Sequence, residues 1–277
     1  MKRKLFCELG PVAYQISEIK ETALRRMRDL RHGVRFARTH QQEPLPCLWK
    51  GDDKIIRRQL HGVDMRLQEN KAVNLRLAGS RIDGLIIHPG ETFSFYETVG
   101  KTTAKKGYLE GLVINNHGVA SGIGGGMCQL ANLIHYMVLH SPLEVTELHH
   151  HTDALFPDSG RRVPFGTGTS VSYKKLDYRF YNGTDTPVQL RVWQDETTLY
   201  GELRGTQPLP VRYRLEEEDN HFAKDADGCY YRNSRVYRVS EDVQTGEELA
   251  RELVLANHSK VMYDYDLIPK DQIRQPV

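Results

Sequence analysis

The residue best suited to act as a nucleophile is Cys128. Four glycines, Gly122, Gly124, Gly125 and Gly126, lead into it. Leu130, Leu133, Ile134, Met137 and Val138 then recur at three- and four-residue spacing, the apolar stripe of a buried helix. That spacing puts Cys128 in the first helical turn, where unpaired backbone N–H groups and the positive dipole end favour a thiolate over a thiol. The glycines let a substrate come close to the backbone. A thiol nucleophile needs a base, and the base needs a partner that fixes its tautomer. The stretch LEVTELHHHT supplies His149, His150 and His151. Read as a strand, its period of two sets His149 and His151 on one face and His150 on the other. Asp177, on a later strand, is the candidate orienting acid. The backbone of Gly124, Gly125 and Gly126 would line the substrate, with Gln129 as an oxyanion donor and Asn132, one turn beyond Cys128, reaching the same opening. His135 and His140 read as helix-face residues.

Each of these residues also has a plainer use. Free cysteine is often a small buried hydrophobe, glycines build tight turns, strand histidines sit at the surface, and an aspartate makes salt bridges. Two histidines at i and i+2 near a cysteine could also ligate zinc, but no third or fourth ligand stands at a recognisable spacing, so no metal and no cofactor is expected.

The elements that must hold these groups follow from periodicity. Residues 12 to 38 carry Val12, Ile16, Ile19, Ala23, Leu24, Met27, Leu30 and Val34 at helical spacing, with basic residues filling the other positions. They predict one long basic amphipathic helix, packed on the main domain by one face or docked on an anionic membrane surface or acidic partner. A second helix is predicted from Asp64 to Leu77, ending near Gly79, and a buried strand at 85–87. Phe93 and Phe95 alternate as in a strand. Residues 112 to 120 read as a hairpin that delivers the chain into the glycine run. The segments 170–182 and 186–194 predict a second hairpin around Gly183, with Leu176, Tyr178 and Phe180 facing the core and Asp177 and Arg179 facing away. From about 208 onward, short strands with turns at 225–228 and near 245–246 predict an antiparallel meander. The fold class is therefore α+β: an N-terminal helical segment over 1–60, a central domain over 61–206 whose helix packs on a mainly antiparallel sheet, and a C-terminal β unit over 207–277.

Composition narrows the function classes. The 277 residues are 39% hydrophobic and 27% charged, and a net charge of +2 gives no electrostatic case for nucleic acid. The four cysteines, Cys7, Cys47, Cys128 and Cys229, lie far apart with no C-x-x-C pair, which suits reduced thiols. No apolar run of signal-peptide or membrane-spanning length occurs, and the expected compartment is the cytoplasm.

Four blocks carry a resemblance. PGETFSF at 89–95, GIGGGMCQLANL at 122–133, the His-x-His at 149–151 and LDYRFYNGTDTPVQL at 176–190 resemble, in order, the signature blocks of the VanW family, over roughly residues 64 to 205. Two positions depart from the family pattern. Ala131 stands where the family often has Ser, and Gly168 where an Asp of a GxDATV-like block would fall, so the resemblance implies neither a hydroxyl beside the cysteine nor an acid from that loop. It implies a context of glycopeptide resistance and the cell envelope without a defined reaction. Joined to the residues above, it leads to a thiol-dependent hydrolase or acyltransferase acting on a peptide or amide of the peptidoglycan-precursor class. The rival expectation is a non-catalytic module that binds a cell-wall peptide or partner protein through the glycine-lined groove.

Overall fold

The structure is a computed structural model and describes residues 9–57, 64–115, 118–150, 153–155, 157 and 163–274. The chain opens with α1 (Pro11–Arg31), which starts on a proline in its first turn. It stops well short of residue 38 because Gly33 takes a left-handed φ of 64°. The Val34 N–H then closes back on the Asp29 carbonyl, the glycine-capped end common to helices. After β1 (Thr39–His40) and β2 (Cys47–Ile55) comes α2 (Met65–Ile82), capped by the Asp64 side chain accepting from the Arg66 N–H at 2.8 Å. Strands β3 (Leu85–Ile87) and β4 (Thr92–Ser94) follow. Phe95 is not the next strand residue that alternation predicts: Ser94 accepts from the Glu97 N–H and starts the short helix α3 (Phe95–Val99). Both phenylalanines are buried, as a strand would also have them, so their apolar spacing does not reveal the helix start.

The predicted hairpin into the glycine run is present as β5 (Glu110–Asn115) and β6 (Gly118–Ile123), followed by α4 (Met127–Leu139) and β7 (Glu144–Glu147). Beyond β8 (Asp153–Ala154) lie β9 (Arg179–Tyr181), β10 (Val188–Gln194) and β11 (Thr198–Gly205). The expected hairpin around Gly183 does not form. β9 pairs with β4 and β7, while β10 pairs with β3 and β11 in a different sheet. Asn182 makes the crossing possible: fully buried, it donates to the Ile87 and Thr186 carbonyls and accepts from the Thr184 N–H, satisfying the backbone at the corner. Tyr178 and Phe180 are buried as predicted, but Asp177 and Arg179 are buried too, because α1 lies across their face of the sheet.

One five-stranded sheet runs β1-β3-β10-β11-β2, all antiparallel, so strands from before residue 60 are part of it. Helix α4 is apolar nearly all round and lies on this sheet with Leu130, Leu133, Ile134, Met137 and Val138 fully buried. Gly201 of β11 lets it come close, since a β-carbon there would strike Met137 at 2.7 Å. The C-terminal meander is present as predicted: β12 (Val211–Lys224), β13 (Tyr230–Asp242) and β14 (Glu248–Val261), antiparallel, with β8 and β15 (Ile273–Arg274) added in parallel at the edges. No helix among the described residues is long and apolar enough to cross a membrane.

Candidate functional site

The glycine turn before α4 is built by close approach of the chain to itself. Gly124 and Gly126 have φ of 82° and 106°, the latter at the N-cap of α4. A β-carbon on Gly125 would run into the backbone of Gly111 in β5, one on Gly124 into the Thr102 side chain, and one on Gly126 would lie 2.5 Å from Lys71 Cγ. Asn74 of α2, fully buried, fastens the turn. Its amide donates to the Leu109 and Gly125 carbonyls at 3.0 and 2.9 Å, and its oxygen accepts from the Leu109 N–H at 2.8 Å. Sequence reasoning missed Asn74 because its partners are 35 and 51 residues away.

Cys128 is in the first turn of α4, as the spacing predicts, and is half-buried with its sulfur 3.9 Å from the Val171 carbonyl oxygen. Burial pushes its thiol up, which outweighs the helix-start effect expected to favour the thiolate. Gln129 donates its amide to the Ile55 carbonyl at 3.0 Å and so ties α4 to β2. Asn132 accepts from the Thr169 N–H at 2.6 Å. Cys128, Asn132, His135 and Leu139 recur at i, i+4, i+7 and i+11 and form one stripe of α4, against which the loop 166–171 runs.

The histidine segment departs from the strand reading. β7 ends at Glu147, so alternation does not extend to His149 and His150. His149 Nε2 lies 3.0 Å from Glu147 Oε1, and His150 Nδ1 lies 3.1 and 3.2 Å from the Gly166 and Gly168 carbonyl oxygens. His151 falls outside the described residues. Asp177 is fully buried and accepts from Arg179 Nε at 2.7 Å, the Ser94 hydroxyl at 2.6 Å and the Tyr96 and Tyr178 N–H groups. Among the described residues no imidazole meets its carboxylate and none meets the Cys128 sulfur. Asp177 belongs instead to an ionic cluster with Arg25, Asp29, Glu147 and Arg179. Burial alone would raise the Glu147 carboxyl, but Arg25, His149 and Arg179 hold it down at about 2. Among the described residues no group of three His, Cys, Asp or Glu side chains could hold a metal ion.

The opening near these groups lies toward the other end of α4. A cleft of about 390 Å³ is floored by Leu139, Leu143, Val145, Leu148 and Leu255, with His135, His150 and Thr167 on one side and Arg238 and Glu252 on the other. It sits where α4 and β7 meet the meander strands β13 and β14. Arg238 pairs with Glu252 at 2.8 Å and stacks over Tyr213. His135 is buried beside the Tyr178 hydroxyl, Nδ1 to oxygen 3.1 Å, and burial drives its pKa down to about 3, so it stays neutral. Sequence reading treated His135 as an ordinary helix-face residue. Its position two turns from Cys128 on one face was the available signal. A second hollow of about 490 Å³ lies under the end of α1, against Glu147 and Arg179, whose charges are already paired.

Comparison with known proteins agrees with the signature blocks. The family profile described as "VanW like protein" matches residues 70–204. The chain is 30% identical over 231 residues to the vancomycin B-type resistance protein VanW of Enterococcus faecalis, covering 83% of this chain and 84% of that protein. It is 31% identical over 123 residues to the uncharacterized protein YoaR of Bacillus subtilis, covering 44% of this chain and 39% of that one. No solved structure matches. With most of both chains aligned to the Enterococcus relative and the profile falling on the segment that carries the glycine turn, α4 and β9, this chain belongs to the VanW family.

Proposed function

We propose that the protein is a binding module for a peptide of the peptidoglycan-precursor class, held in the cleft between α4, β7 and the meander, and that it serves glycopeptide resistance from the cytoplasmic side of the envelope. The observation that carries this reading is the cleft itself. Its volume, about 390 Å³, lies within the ~300–1,000 Å³ of small-ligand sites. An apolar floor would take aliphatic side chains, the Arg238–Glu252 pair offers both signs of charge to a peptide's ends, and the His135 and His150 rings offer hydrogen bonds. The resistance context comes from the name of the Enterococcus relative. Cys47, Cys128 and Cys229 are free thiols, which suits a reducing compartment.

A thiol-dependent hydrolase or acyltransferase is the second reading, with Cys128 as nucleophile, His151 or His149 as base, Asp177 as orienter and the backbone from Gly126 to Gln129 as oxyanion hole. One observation favours it. The Ser170 N–H donates to the His149 carbonyl at 2.6 Å, next to Val171 at the thiol, so the segment leading to His151 runs beside the loop that covers Cys128.

One experiment separates the two. Precursor peptides are titrated calorimetrically into wild type, Cys128→Ser and Leu255→Trp, and the mixtures are then examined by mass spectrometry. The binding reading expects intact peptides, affinity kept in Cys128→Ser and lost when Leu255→Trp fills the cleft. Peptides that wild type cleaves or transfers, and Cys128→Ser leaves untouched, would establish the catalytic reading instead.

A further inference from the structure

Helix α1 is mounted with its polar face inward. At about 100° per residue, Glu18, Thr22, Arg25 and Asp29 share one face, and that face meets the domain. Arg25 makes a two-pronged pair with Glu147 of β7 at 2.7 and 2.8 Å, and Asp29 receives Arg179 of β9 at 2.7 and 3.1 Å. No residue of α1 is buried. The opposite face, Val12, Ile16, Ile19, Ala23, Met27 and Leu30, recurs at the same helical spacing and points away from the protein. Its five large side chains are between 51% and 83% exposed. An ordinary surface helix does the reverse, burying its apolar stripe and solvating its charges. Here ion pairs hold the helix and leave a continuous apolar strip along its 21 residues, about 31 Å of length.

The charges beside the strip say what covers it. Lys20 and Arg31 border it on one side and Arg26 on the other, all exposed and none in an ion pair with a described residue. The acidic residues of the helix, Glu18, Glu21 and Asp29, all fall on the opposite half of the wheel. A second copy of the same strip would bring these cations against one another. An anionic lipid surface would neutralise them while taking the apolar side chains below its headgroups.

We infer that α1 seats the protein flat on an anionic membrane surface, with the Val12–Leu30 stripe in the headgroup–acyl boundary and Lys20, Arg26 and Arg31 on lipid phosphates. The cleft plays no part in this, so the inference stands apart from the peptide-binding reading.

The test is co-sedimentation of the full chain with phosphatidylcholine vesicles, with and without about 30 mol% phosphatidylglycerol, at low and high salt. Wild type should bind only the anionic vesicles and release as salt rises. Ile16→Glu/Ile19→Glu should bind at least about tenfold more weakly. The triple variant Lys20→Gln/Arg26→Gln/Arg31→Gln should bind several-fold more weakly with a flatter salt dependence. Both should keep the wild-type melting curve, because none of these side chains is buried. Failure of wild type to bind anionic vesicles, or equal binding by the variants, would overturn the inference. So would a concentration-dependent dimer, seen by sedimentation velocity, that Ile16→Glu/Ile19→Glu dissolves without any vesicle binding.

Discussion

The two ends of α4 are built by opposite rules. At its start the chain closes on itself: glycines admit the backbone of β5 and the side chains of Thr102 and Lys71, and Asn74 ties the turn to α2. Toward its end, the same stripe that begins with Cys128 and Asn132 opens at His135 and Leu139 into a cleft shared with the meander. A glycine-rich approach to a helix looks in sequence like a substrate cradle. Here close approach is used for packing, and the open volume lies about two turns further along.

Breaking the packed end should have the largest effect. Gly125→Ala forces a β-carbon into the Gly111 backbone and should cost on the order of 3 kcal/mol or prevent folding, as read by urea denaturation. Gly228→Ala, with φ of 79° but nothing within 4 Å, should cost only about 1 kcal/mol by the same assay. Next comes Asn74→Ala, which removes the partner of the Leu109 N–H and of the buried Gly125 carbonyl, while the Leu109 carbonyl keeps the Gly124 N–H, and should cost roughly 2 kcal/mol. Equal losses for Gly125→Ala and Gly228→Ala would mean that the turn is not a packed joint.

The open end has a pH signature. Burial pushes His135 down to about 3 and His140 to about 4, while in the unfolded chain each titrates near its ordinary 6.5. Between those values the unfolded chain binds more protons, so stability should fall as pH drops from about 6.5 toward 4. Glu147, held down at about 2, adds a further loss as its carboxylate protonates below about 4.5. His135→Gln should flatten the upper part of the profile by about one proton in a series of thermal melts across this range. An unchanged slope would show that His135 is not kept neutral by burial.

The smallest effect belongs to Cys128. Serine can make the same contact to the Val171 carbonyl, so Cys128→Ser should change stability by less than about 1 kcal/mol. Iodoacetamide should label Cys128 slowly at neutral pH and faster as pH rises past the ordinary thiol range.

Much of the scaffold was legible in the sequence, because local periodicity and turn chemistry encode it. The apolar run from Leu130 to Val138 could only be a buried helix, Asp64 announces a helix start, and glycines at 228 and 246 mark the meander turns. What was not legible depends on pairing between distant segments. Nothing near Asn182 says that β9 and β10 part into different sheets. The segment after Glu147 gives no sign that the 166–168 carbonyls will take His150. The basic helix reads as amphipathic either way round, and only Glu147 and Arg179, far along the chain, decide that its polar face turns inward. Asp177 looked like an orienting acid because sequence shows residue type, while its actual donors, Ser94, Tyr96 and Arg179, converge on it only in the folded sheet.

The most direct measurement is photo-crosslinking. A precursor peptide carrying a diazirine side chain is irradiated with the full-length protein, and the adducts are mapped by mass spectrometry. The account predicts adducts on Leu139, Leu148 and Leu255, competed away by unlabelled peptide and absent when Leu255→Trp fills the cleft. Competable adducts confined to residues 124–132, with the cleft unmarked, would contradict it and return the ligand to the thiol end of the helix.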